Sequence, residues 1–160
     1  MIAKKLPRTR TPTPLLARNS GRVLLSAADL VTIVAPAMAD WNGSHIFNDS
    51  WPSHARFHGV VGLATPTSLA ALGLVRLWLG PRDAATRDFA AAVPVAYWGA
   101  FVPAAFVKGT GVDDPPHPVG RVAGIPANLF YAILTTTLAI GGWLLDRRFR
   151  QRYAIDDLTR

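Results

Sequence analysis

Residues 59–79 read GVVGLATPTSLAALGLVRLWL, a run in which Arg76 is the sole charged side chain. A helix needs ~20 apolar residues to cross the ~30 Å of hydrocarbon in a bilayer, and this run meets that length. Working outward from it, three more runs carry the same weight: 23–39, 89–107 and 125–145, of which only the first contains a charge, Asp29. Half of the 160 residues are hydrophobic and the mean hydropathy is +0.22, a composition that suits a membrane protein better than a soluble domain wetted by charge. The fold expected is therefore all-α, a four-helix transmembrane bundle of 23–145, preceded by a basic arm (1–22) and followed by a basic tail (146–160).

The formal net charge of +7 could have pointed to nucleic acid, so the placement of the basic residues matters. Thirteen of the seventeen lie before the first run, between the second and third (Arg82, Arg87), or after the fourth (Arg147, Arg148, Arg150, Arg152, Arg160). Arg56, Lys108 and Arg121 fall on the opposite side. By the positive-inside rule both termini are cytoplasmic in a cell membrane, and the charge reads as topology and attraction to anionic lipid, with no nucleic-acid partner. Trp41 and Trp51 flank the outer boundary and Trp78 and Trp143 the inner one, as interfacial indoles do. Trp98 lies in mid-span, where its N–H needs a partner, so it is expected to face the bundle or a ligand. A competing topology starts from Ala37-Met38-Ala39, which has the form of a signal-peptidase site before Asp40; against it stand the long leader and the interruption at Asp29. Cysteine is absent, which removes disulfides and thiol chemistry.

Two intramembrane charges need an account. Asp29 and Arg76 sit at matching depth, about 10 Å from the cytoplasmic boundary at ~1.5 Å per residue, so a bridge between the first two spans is expected; a snorkelling Arg76 and a proton-relay Asp29 are the other readings. Pro66, Pro94 and Pro103 remove helix hydrogen bonds and should open room between the spans. Asp49 or Ser50 is expected to cap the second helix, with Pro52 in its first turn.

Three of the four histidines fall between Asp40 and His58, and the outer side gathers Asp40, Asn42, His45, Asn48, Asp49, His54, Arg56, His58, Asp113, Asp114 and His117. Three readings compete. In an acid-base site, His58, His54 and His45 exchange protons with Asp40 orienting one of them, while Asn42, Asn48, Trp51, Arg56, Trp98, Asp114 and His117 hold a small lipophilic substrate. In a metal site, His54 and His58, four residues apart on one helix face, bind a divalent transition metal such as zinc with His45 and His117; no cofactor is needed otherwise. In the third reading these groups form a hydrogen-bonded lid. The loop 108–118, glycines followed by prolines, is expected to roof the site.

The run Asp40-Trp41-Asn42 with His45 and Asn48, then Trp51-Pro52 and His54-Ala55-Arg56-Phe57-His58, resembles the signature of an uncharacterised family of small four-span membrane proteins, which implies that these positions act as one unit. In size, span count and cytoplasmic termini the chain is more loosely similar to the four-span sterol isomerase and sigma-2 receptor superfamily, which implies a lipophilic ligand within the bundle. The chain has ten Asp and no Glu, so the glutamate acids of the sterol isomerases have no counterpart. The function expected is the binding of an isoprenoid- or sterol-like molecule at a His/Asp site, with isomerisation or cyclisation as its reaction; a metal-binding protein or a structural subunit of a membrane complex is the alternative. The partners expected are the lipid bilayer, that lipophilic molecule, and a second copy of the chain in a homo-oligomer.

Overall fold

A computed structural model describes residues 15–113 and 118–158, with side chains from 19 to 151 within those limits. The chain is helical nearly throughout: α1 Leu15–Asp40, α2 Ser53–Leu79, α3 Ala84–Gly99, the single turn α4 Phe101–Ala104, and α5 Ala127–Leu158. A two-residue hairpin, β1 Arg121–Val122 paired antiparallel with β2 Ile125–Pro126, precedes α5. Its turn places Ala123 and Gly124 at positive φ, 51° and 80°. Two positive-φ residues in a two-residue loop match the right-handed twist of the flanking strands.

Three helices are long and apolar enough to cross a membrane: α1 over Asn19–Asp40, α2 over Ser53–Leu79, and α5 over Ala127–Gln151. The expected third span, 89–107, is instead divided. The side chain of Asp83 accepts a hydrogen bond from the Thr86 amide at 2.8 Å and starts α3 five residues early. Pro103 lacks the N–H that would reach back to the Gly99 carbonyl, and the helix breaks there, with Ala100 separating α3 from α4. Two further boundaries move. Residues 15–22 of the expected arm are the first turns of α1, and α5 runs through the expected tail to Leu158, helped by an Asp146–Arg150 pair four residues apart at 2.6 Å. Pro52, expected in the first turn of α2, is its N-cap, and no side chain caps that end.

The four long elements run up, down, up and down. Neighbours round the bundle are α1, α2, α3 and α5; α1 also meets α3 across the centre, whereas α2 and α5 do not approach each other. Between α1 and α5 the backbones touch at a pair of glycines. A Cβ on Gly142 would lie 2.9 Å from both the Gly21 carbonyl oxygen and the Leu25 nitrogen, and a Cβ on Gly21 would lie 2.7 Å from the Gly142 carbonyl oxygen. Lipid tails are as apolar as leucine, so association in a bilayer relies on this kind of close backbone contact.

Arginines and tryptophans brace the end of the bundle that carries residues 20–22, 76–88 and 142–150. Arg22 lies over the Trp78 ring at 4.5 Å, and the Trp78 N–H donates to Ser26 Oγ at 2.9 Å. The Trp143 N–H donates to the Asp88 carboxylate at 2.7 Å, and Asp88 also pairs with Arg87 at 2.9 Å. Arg150 reaches the Arg82 carbonyl in the loop between α2 and α3.

Gly142→Leu should separate α1 from α5 and lower the unfolding free energy by about 3 kcal/mol or more, as overpacking against backbone does. Gly141→Ala, whose Cβ would meet open space, should leave thermal unfolding in detergent unchanged or slightly improved. The hydrogen bond from Thr86 holds the Asp83 carboxyl below the usual carboxylate range. A depressed folded value means that the cap contributes fully at neutral pH and fades as the pH falls below that range. The Asp83→Asn variant should unfold with a shallower dependence on acid than the parent, read by circular dichroism between neutral and strongly acidic pH.

Candidate functional site

The segment 41–52, between α1 and α2, is built from its own side chains. Asn42 Oδ1 accepts from the Ser44 amide at 2.9 Å and the Ser44 hydroxyl at 2.8 Å, and its Nδ2 donates to the Ala39 carbonyl at 2.6 Å. Asn48 repeats the motif, accepting from the Ser50 amide and hydroxyl and donating to the Ser44 carbonyl. Asparagine favours such turns because its short amide imitates a peptide group. Arg56 Nη2 donates to the Asn48 carbonyl at 3.0 Å, tying the segment to α2. Ile46, 2 % exposed, plugs its underside. The Trp51 ring passes over Gly59, where a Cβ would come within 3.3 Å of it. Phe57 stays 61 % exposed, so the closure is made by Ile46 and Trp51.

The histidines divide into two groups. His45 places Nε2 3.9 Å from Asp40 Oδ1 and Nδ1 2.9 Å from the Ser44 hydroxyl, with the Trp51 ring edge-on at 6.2 Å. His54 and His58 stand exposed on one face of α2, their Nε2 atoms 3.1 Å apart and their rings perpendicular. Among the described residues no three His or Asp side chains are grouped so as to hold a metal ion. Asp114 and His117 lie outside the described residues. Asp113, in the loop expected to act as a roof, accepts the Val119 amide at 3.2 Å and faces Arg121 at 3.9 Å.

Trp98 faces the bundle. It is 4 % exposed, and its N–H donates to Thr32 Oγ1 at 2.9 Å, while that hydroxyl donates to the Ala28 carbonyl at 2.8 Å. The ring therefore ties α3 to α1 through the one polar atom it has. The expected Asp29–Arg76 bridge is not formed. Asp29 is fully buried with neither carboxylate oxygen hydrogen-bonded, against Gly73, where a Cβ would be 3.0 Å from Oδ2. Arg76 turns its guanidinium over Phe89 at 5.7 Å. Arg76 lies one turn beyond Gly73 on α2, and this aromatic face offers it a partner on α3.

A concave site does exist, and it lies away from the histidines. Between α3–α4 and α5 runs an open cleft of ≈ 460 Å³, with Tyr97, Phe101, Ala104, Val112, Asn128 and Leu129 among its walls. Its floor follows from the sequence: Ala96, Ala100 and Ala104, four residues apart, put small side chains along one face, and the break before Pro103 draws α4 aside. Asn128 is engaged, its Nδ2 donating to the Val112 carbonyl at 3.0 Å and its Oδ1 accepting from the Leu129 amide. None of His45, His54 and His58 lines this cleft. Sequence reasoning passed over Tyr97 and Phe101; the alanine spacing beside Pro103 was the available signal.

No curated protein and no solved structure matches the chain, so the looser likeness to sterol isomerases finds no support there. The match that exists covers residues 24–155, from the second turn of the first membrane-length helix to near the end of α5, and by it this protein belongs to DUF6640, a family of unknown function.

Proposed function

We propose that this is a four-span protein of the cell membrane, with both termini cytoplasmic, that binds a small isoprenoid- or sterol-like molecule in the cleft between α3–α4 and α5. In this reading α3 and α4 together make the third of four crossings, and the side on which thirteen basic residues gather sets the orientation. The cleft carries the proposal. At ≈ 460 Å³ it falls inside the ~300–1,000 Å³ of small-molecule sites, and its walls are mainly alanine, aliphatic and aromatic.

The lining also limits the ligand's chemistry. With the Asn128 amide engaged and the Thr110 hydroxyl donating to the Ala104 and Val107 carbonyls, the phenol of Tyr97 is the polar handle left for a ligand. A hydrocarbon body with one hydroxyl or carbonyl group fits that wall. Tyr97 is also the titratable side chain among the cleft's walls, so in this reading any isomerisation or cyclisation would begin at its phenol.

The test is mass spectrometry of lipophilic compounds retained by protein purified in mild detergent. Ala100→Phe should fill the cleft and lower retention at least tenfold with an unchanged helical spectrum. Tyr97→Phe should lower it by about tenfold or less, the worth of one hydrogen bond. Retention equal in the parent and Ala100→Phe, or of bulk phospholipid alone, would sink the proposal.

A further inference from the structure

The exposed pair on the first turns of α2 is organised for a different ligand from the cleft. We infer that His54 and His58 form a two-histidine binding position for a divalent transition-metal ion, closed by water and independent of the lipophilic-ligand site. The first support is spacing. Residues four apart on a helix share a face, and here both rings turn the same nitrogen inward, Nε2 to Nε2 at 3.1 Å. Two imidazole nitrogens on one tetrahedral zinc, each at ~2.0–2.1 Å, stand about 3.3 Å apart. The observed gap is within a few tenths of an ångström of that value, so an ion could seat with little movement of either ring.

The second support is the way the rings are held. Phe57 stacks on His54 with ring centres 6.5 Å apart and meets His58 edge-on at 5.6 Å. These contacts bias both rings before an ion arrives, which reduces the ordering that binding must impose. Both side chains are exposed, so the remaining coordination positions are open to water. Imidazole suits zinc, nickel and copper, whereas magnesium and calcium prefer the oxygen ligands that this face does not present among its two histidines.

The competing explanation of a 3.1 Å separation is a single hydrogen bond, with one neutral imidazole donating Nε2–H to the bare Nε2 of the other. The two explanations separate on addition of metal. Full-length protein purified without a polyhistidine tag is titrated with Zn²⁺ by calorimetry in detergent, and with Cu²⁺ by electron paramagnetic resonance. One ion per chain is expected, with hyperfine splitting from two equivalent nitrogens. His54→Ala and His58→Ala should each weaken binding at least tenfold while leaving the helical spectrum intact. The absence of saturable binding, or binding that survives in the double variant, would overturn the inference. A splitting from three nitrogens that falls to two in His45→Ala would overturn the two-histidine form and place His45 in the set. Because the lipophile assay reads a different face, failure of either result leaves the other standing.

Discussion

The backbone contact between Gly21 and Gly142 is the constraint on which the rest of the bundle depends. In a bilayer there is no hydrophobic drive to bring apolar helices together, so the closest approach available to the main chains decides which faces meet. Beside that contact Asp88 on α3 receives the Trp143 N–H, so α5 is tied to both α1 and α3 at the same end of the bundle. The position of α5 in turn sets one wall of the cleft, since Asn128 and Leu129 stand near its start. A change of side chain at either glycine would therefore be felt about 20 Å away, at the opposite end of the bundle, given ~1.5 Å per residue along α5.

Charge is handled differently at the two ends. At the arginine-rich end, guanidinium groups rest on indole and phenyl rings, pair with carboxylates of their own helix or reach a loop carbonyl, so these basic residues also hold the bundle together. At the other end, uncharged amides and hydroxyls of Asn42, Ser44, Asn48 and Ser50 satisfy the backbone of a short closed segment. Between them Asp29 is the exception, a buried carboxylate with neither oxygen hydrogen-bonded, beside a glycine on α2. Buried polar groups are nearly always paired, and among the described carboxylates this one has both oxygens buried without a partner.

The polar outer segment and the concave site are separate features. Sequence proximity suggested that the groups from Asp40 to His58 would surround one substrate. Their hydrogen bonds run mostly among themselves, and the hollow opens one helix pair away, where a proline break meets a row of alanines.

The membrane-length runs, the sorting of basic residues, the helical register of His54 and His58, and the need of Trp98 for an interior partner were all legible in the amino-acid order, because length, charge and spacing along a helix are one-dimensional properties. The failure of Asp29 to pair with Arg76 was not, because their depths agree: depth along an axis is readable from sequence, but the rotation of each helix about that axis is fixed by the glycine contacts and by Phe89 offering Arg76 another face. The early start of α3 turned on one Asp83 cap, and its division at Ala100 on the Pro103 whose effect on packing depends on what lies beside it. The location of the cleft was likewise decided only by the tertiary structure, since an empty volume belongs to no residue and arises where two neighbouring helices fail to meet.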